Sequence, residues 1–253
     1  MRIVATIQVR MGSSRLPGKV MREVAGKPLL GHLLDRLALV RNLTGVVVAT
    51  SVRPENDPIE RYCRERRLPC FRGSEDDVLG RMLGALREQR ADVGVEIFGD
   101  CPIIDPALVE TTIRYFLDHR EAFDFVGNDL ATTYPPGMEV EVFSMAALER
   151  ADRETDDPAI REHGTFQIRR NPGLYRLKNL EAPAELHRPE MELEVDTEED
   201  FQVISQILNH FSDRPHTSLA EIIAYMEAHS ELSAINRHVH RRWKALRDGE
   251  AIQ

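Results

Sequence analysis

Ile7-Gln8-Val9-Arg10-Met11-Gly12-Ser13-Ser14-Arg15-Leu16-Pro17-Gly18-Lys19 decides how this chain reads. It follows an apolar run at residues 3–7, the pattern of a buried first strand, and precedes an apolar-periodic helix that begins near Pro28. Arg10, Arg15 and Lys19 are spread along a loop that also holds Gly12, Ser13, Ser14 and Gly18. Glycine and serine let the backbone come close to a ligand, so the loop can gather N–H groups and fixed positive charge around one polyphosphate. A solvated basic loop is the plainer alternative.

The loop is not a Walker A motif. Five residues instead of four separate Gly12 from Gly18, and Val20 stands where a P-loop needs a hydroxyl for its magnesium. No Gly-x-Gly-x-x-Gly occurs in the chain, which removes the main sequence argument for a nicotinamide or flavin enzyme.

The chain has 253 residues, enough to bury a substantial core as one large α/β domain or one domain with an appendage. Its formal charge of −9 argues against nucleic acid as a partner, so an anionic ligand must be met by local cations. Cys63, Cys70 and Cys101 form no Cys-x-x-Cys pair and are expected to be reduced thiols in a cytoplasmic protein. The N-terminus reads directly as a strand with no secretory pattern, and no apolar run approaches the roughly 20 residues of a membrane span. A soluble protein is expected.

Strands are expected at residues 45–50, near 70–71 and at 93–98, with apolar helical stripes between them. The stripes are Leu29, Leu30, Leu33, Leu34 and Leu37; Ile59, Tyr62 and Cys63 after a cap at Asp57-Pro58; Val78, Leu79, Met82, Leu83 and Leu86 after a Ser74–Asp77 box; and Leu108, Val109, Thr112, Ile113 and Phe116 after Asp105-Pro106. This alternation to about residue 126 predicts an α/β fold with a mostly parallel, doubly wound sheet. Ligand groups collect at the carboxyl ends of such strands. There stand Ser51, Arg72 and Gly99-Asp100-Cys101-Pro102. Asp100 is suited to hold a divalent cation beside nucleotide phosphates, with turn stabilisation as the alternative.

From residue 127 the rhythm changes. A loop with Tyr134-Pro135-Pro136-Gly137-Met138 leads into Glu139-Val140-Glu141-Val142-Phe143, whose alternation predicts a half-exposed antiparallel strand. Helical stretches around 146–150 and 160–169 and a strand at 175–180 complete what reads as a small inserted α+β subdomain, 127–180, a usual place for substrate selection. Glu192-Leu193-Glu194-Val195-Asp196 is expected to return to the sheet, with Thr197 and Asp200 capping the next helix. Folded onto one sheet edge, Asp100 and Asp196 could share one magnesium. The main domain is placed at 1–212 and a helical C-terminal extension at 213–253. Ser218 opens one helix there, and a second ends in Asn236-Arg237-His238-Val239-His240-Arg241-Arg242-Trp243-Lys244, read as a solvated basic face. His238 and His240, two apart on a helix, make a poor metal pair.

With the opening loop, Arg72-Gly73-Ser74, Gly99-Asp100-Cys101-Pro102 and Val195-Asp196-Thr197 in this order, residues 1–210 resemble the sugar-acid cytidylyltransferases. That family includes the acylneuraminate and 3-deoxy-manno-octulosonate enzymes, and the resemblance is strongest to its branch named for spore coat polysaccharide biosynthesis. It implies a nucleotide-diphospho-sugar transferase-like fold, CTP as donor, Mg²⁺ as cofactor, an acidic sugar or related acceptor, and a homodimer formed through residues 127–180. Arg10, Arg15 and Lys19 then hold the triphosphate, together with Gln8, Gly12, Ser13 and Ser14 of the same loop. Ser51, Arg72 and Ser74 line the nucleotide site, and Asp100 and Asp196 bind the metal. Arg10, Arg15, Lys19 and Asp100 are the expected catalytic set, and His163 and Glu139 are candidates for acceptor contact.

Two departures fall in the acceptor region. Pro136-Gly137-Met138-Glu139-Val140-Glu141-Val142-Phe143 lacks the arginine of the branch's Pro-Arg-Gly-Leu-Asp-Val-Glu-Val-Phe, and Glu162-His163-Gly164-Thr165-Phe166 replaces Glu-His-Val-Thr-Pro. The acceptor is therefore left open, while the CTP chemistry is not touched. The rival readings are a glycosyltransferase of the same general fold, which usually carries an Asp-x-Asp that this chain lacks, and a non-catalytic nucleotide-binding regulator.

Overall fold

A computed structural model describes residues 1–214 and 216–241. Seven strands form one sheet: β1 (Ile3–Gln8), β4 (Gly45–Ser51), β5 (Cys70–Gly73), β6 (Val93–Phe98), β7 (Phe125–Gly127), β8 (Glu141–Ser144) and β9 (Leu177–Asn179). Their order is β5-β4-β1-β6-β8-β7-β9, and β8 alone runs against the rest. A two-strand hairpin, β2 (Glu23–Val24) with β3 (Lys27–Pro28), stands apart. Ala25 (φ 50°) and Gly26 (φ 73°) both take the left-handed backbone that such a two-residue turn requires.

The period-2 alternation of β1 divides the core. Ile3, Ala5 and Ile7 join a cluster formed with α1 (Leu29–Leu37), α2 (Asp57–Glu65), α4 (Pro106–Asp118) and α8 (Glu198–His210), whereas Val4 faces α3 (Val78–Glu88) and α5 (Met145–Glu154). Apolar cores on both faces explain why these strands are continuous apolar runs, and they give the doubly wound α/β architecture that the alternation predicts. Two helices beyond residue 213, α9 (Leu219–Ala228) and α10 (Ser230–Asn236), bury Leu219, Ile222, Ile223, Met226 and Leu232 in the first of these clusters.

The structure corrects several local expectations. Residues 139–143 are not half-exposed: in β8, Glu141, Val142 and Phe143 are all fully buried, because α4 packs on one face of the sheet there and α5 on the other. The alternation reflects a buried charge, not a wet face. Residues 192–195 join no strand; Leu193 N–H donates to Pro136 O at 2.7 Å and Val195 N–H to Asp100 O at 2.9 Å. The cap of α3 is Asp77, which accepts from Gly80 N–H at 2.8 Å, while Ser74 only accepts from Asp77 N–H at 3.2 Å. Asp57 is the first residue of α2, not its cap. The helical stretch at 160–169 is two single turns, α6 (Pro158–Arg161) and α7 (Phe166–Arg169), around residues 162–165. Among the described residues the last helix stops at Asn236, so His238 and His240 are not helical; residues 242–244 lie outside the described residues.

Candidate nucleotide site

The loop after β1 is tied down at both ends. Asn56 accepts from Met11 N–H at 2.8 Å and donates to Ser51 Oγ at 2.7 Å, which fastens the loop to the end of β4. Gly18 (φ 71°) donates its N–H to Met11 O at 2.8 Å, a reversal that favours glycine. The chain is thereby turned inward at Lys19, which starts a short 3-10 turn and is buried.

Lys19 joins the two predicted acids. Its Nζ lies 3.1 Å from Asp100 Oδ2, 2.9 Å from Asp196 Oδ1 and 2.6 Å from Val195 O. Burial pushes the ammonium pKa down, but Asp100 and Asp196 outweigh burial and raise it above the ordinary lysine value. Arg15 pairs with the other oxygen of Asp196. Asp100 reaches this point because Gly99 allows β6 to end against β1: a Cβ there would lie 2.6 Å from Gln8 O. Asp196 reaches it because the segment before α8 is bonded, through Val195 N–H, to the carbonyl of Asp100 itself.

These carboxylates open onto a cleft of about 550 Å³ that is also lined by Gln8, Arg10 and Arg15. Glu139 and Glu194 line it too. Burial pushes the Glu194 carboxyl well above its ordinary value, and the negative charges of Asp100, Glu139 and Asp196 push the same way. Among the described residues no three acidic, histidine or cysteine side chains converge as a ready-made metal cage. Asp100 and Asp196, held together by Lys19, supply hard oxygen donors from two side chains. That fits Mg²⁺, which is usually held by one or two carboxylates and completes its shell with water and substrate phosphates.

The sheet contributes a second group of charges to the cleft. Glu96 on β6 and Glu141 on β8 stand opposite each other in register, and both are buried. Arg169 pairs with Glu141 at 3.0 Å and with Asp129 at 2.8 Å, and Thr165 Oγ1 donates to Glu141. Gly164 passes over Glu96 so closely that a Cβ would lie 2.6 Å from both carboxyl oxygens. Burial lifts the Glu96 pKa to about 7 against the opposing charge of Arg169.

A family model described as cytidylyltransferase matches residues 4–236. The chain belongs to the cytidylyltransferase family.

It is 32% identical over 229 residues to the spore coat polysaccharide biosynthesis protein SpsF of Bacillus subtilis, covering 88% of this chain and 93% of that protein. A match at 35% identity over 119 residues, 46% of each chain, is to the 3-deoxy-manno-octulosonate cytidylyltransferase of Trichlorobacter lovleyi. Among solved structures, a cytidylyltransferase from Leptospira borgpetersenii superposes with a TM-score of 0.88 at 28% identity, over 95% of this chain and all of that one. The sheet is thus the nucleotidyltransferase-like α/β fold expected from the sequence.

In this cytidylyltransferase the predicted residues divide into two sets. Gln8, Arg10, Arg15, Asp100 and Asp196 line one cleft, and Lys19 bridges the two acids from inside the protein. Arg10 also reaches Glu75 at 3.2 Å. Gly12, Ser13 and Ser14 shape the loop, where Ser13 Oγ accepts from Leu16 N–H at 3.3 Å. Ser51, Arg72 and Ser74 do not line the cleft. Ser51 is buried under Asn56, and Arg72 is bonded to Asp57 and Glu60 at 2.7 Å and to the carbonyls of Ser51 and Arg53. His163 and Glu139 do line it, His163 tilted against Phe166 with ring centroids 5.2 Å apart.

Sequence reasoning missed Arg81, Glu96, Asp129, Arg169, Arg170 and Glu194. The available signal was a glutamate inside each of two apolar strands, Glu96 and Glu141: charge buried in a strand core requires partners.

Proposed function

We propose that this cytidylyltransferase transfers CMP from CTP to an acidic sugar or a related acceptor, releases pyrophosphate, and uses Mg²⁺ held by Asp100 and Asp196. The observation that carries the reading is the meeting of Lys19, Asp100 and Asp196 at the base of a cationic glycine-serine loop. Lys19 there sits between two carboxylates, the position a bound cation takes. When triphosphate enters, Lys19 turns from the acids to the phosphates, joined by Arg10 and Arg15, and the acids are left for the metal.

Asp100 and Asp196 would hold the metal, which when bound would supply Lewis-acid polarisation of the α-phosphate. The chain supplies position and charge. Arg15 and Lys19 face the charge that builds on the leaving pyrophosphate, and the acceptor oxygen attacks the α-phosphorus in line from the cleft. Such transfers run on positioning and electrostatics, so no separate general base is assigned. Glu139, His163 and Arg170 line the acceptor part of the cleft, and the arginine suits an acidic acceptor.

The names of the similar proteins in Bacillus subtilis and Trichlorobacter lovleyi support a place in surface glycan synthesis. Three free cysteines support a cytoplasmic setting. Among the described residues no helix is long and apolar enough to cross a membrane. A homodimer through residues 127–180 is part of the same reading, and light scattering at micromolar concentration tests it. The function itself is tested by incubating the protein with CTP, Mg²⁺ and a panel of sugar acids and following pyrophosphate. Release that depends on one acidic acceptor is the expected result; CTP binding without release across the panel contradicts it.

A further inference from the structure

The run around Arg241 was expected to be a solvated basic face, yet the Arg241 side chain is only 1% exposed. It lies beyond the residues matched by the family model, five past the end of α10. Nη1 and Nη2 reach Asp200 at 2.9 and 2.7 Å, a two-pronged pair, and the guanidinium also approaches Glu192 at 3.4 Å and Glu194 at 3.6 Å. Asn236, the last residue of α10, donates to Asp200 Oδ1 at 2.9 Å and to Glu192 O at 3.2 Å.

Asp200 is the centre of this arrangement. Its Oδ2 accepts the backbone N–H of Asp196 at 3.0 Å and of Thr197 at 2.9 Å, which fixes the main chain that carries the Asp196 carboxylate. Burial alone pushes the Asp200 carboxyl up, but Arg241 and Asn236 outweigh it and hold it below its ordinary value. The same arm reaches the Asp196 side chain indirectly, through Arg15. His240 O accepts from Arg15 Nη1 at 3.1 Å, and Arg15 Nη2 holds the Asp196 carboxylate. Backbone and side chain of Asp196 are thus both set by contacts that run back to residues 240 and 241.

We propose that Arg241 is a positioning residue for Asp196, and that residues 236–241 brace the nucleotide and metal site from behind, through Asp200 and Arg15, without lining its cleft. This rests on the reading of Asp196 as a metal ligand given above. Groups that orient a ligating carboxylate typically change metal affinity by roughly 10–100-fold when removed.

The test uses the full chain with Arg241→Ala and Arg241→Lys, both checked for a cooperative thermal transition. Hydrogen exchange is followed at the Asp196 and Thr197 amides, and Mn²⁺ affinity in the presence of CTP is read from the free-Mn²⁺ spin resonance signal. In Arg241→Ala both amides exchange faster and Mn²⁺ affinity falls by roughly tenfold or more, while turnover at saturating Mn²⁺ falls less. Arg241→Lys, which keeps the charge and loses the two-pronged geometry, recovers part of the affinity. If the alanine variant does not fold, the lysine variant alone is expected to show both shifts. Unchanged amide exchange and unchanged Mn²⁺ affinity in a folded variant overturn the proposal. Absence of CTP-dependent Mn²⁺ binding in the wild-type protein instead overturns the functional reading, and this inference with it.

Discussion

Glu96 and Glu141 face each other across the register of β6 and β8, both buried beside the cleft. Two ionised carboxylates directly opposite on neighbouring strands repel, and burial disfavours the charged form of each. Burial lifts the Glu96 pKa from 4.5 to about 7, with Asp129 adding to it and Arg169 and a hydrogen bond with Glu141 opposing it, and that of Glu141 is raised by burial, Asp129 and Glu96. Together the pair holds a proton in the neutral range, shielded by Gly164 and Thr165.

That proton makes stability depend on pH. A carboxyl whose folded value is raised contributes stability that is complete below its ordinary value, here 4.5, and is lost as the pH climbs through about 7. Glu96→Gln keeps the shape and cannot ionise. Thermal melts of both proteins at pH 5 and pH 8 should show the variant gaining on the wild type as the pH rises, by on the order of 1–3 kcal/mol. A difference between the two that stays constant with pH would contradict the shared proton.

Lys19 neutralises the same two acids that the metal needs. Lys19→Ala should therefore move two affinities in opposite directions. CTP binding weakens by roughly tenfold or more, as loss of a charged phosphate contact does. Mn²⁺ binding without nucleotide becomes tighter, because no ammonium competes for Asp100 and Asp196. Calorimetric titrations of CTP and of Mn²⁺ check both; two unchanged isotherms would remove Lys19 from the site.

Arg72 stands at a strand end but commits its donors to Asp57, Glu60 and the carbonyls of Ser51, at the end of β4, and Arg53, just past it. Arg72→Ala should lower the melting temperature by a few degrees through those carbonyls and leave the KM for CTP within about twofold. A large rise in KM with an unchanged melting temperature would return Arg72 to the nucleotide.

Much of this site could be read in the sequence because its parts are local signals. A glycine-serine loop with spaced cations follows a strand, and Asp100 stands just past another; strand ends of one parallel sheet meet at one edge. What could not be read depends on pairings between distant segments. No periodicity reveals that residue 96 will face residue 141, or that β8 will lie between β6 and β7 with both faces covered. Asp196 comes together with Asp100 although the strand assigned to it does not form, since the Val195 N–H bond to Asp100 O brings it to the same place. Arg241 was misread because a run of basic residues looks solvated until a buried carboxylate, Asp200, is seen to need a partner.

The most direct measurement is acceptor-dependent pyrophosphate release from CTP and Mg²⁺ by the wild type, Asp100→Asn and Asp196→Asn. Convergence of the two acids on one cation predicts release by the wild type and a loss of on the order of 3 kcal/mol or more in transition-state stabilisation, roughly 100-fold in kcat/KM, in each variant. Wild-type rates from either variant at ordinary Mg²⁺ would contradict it.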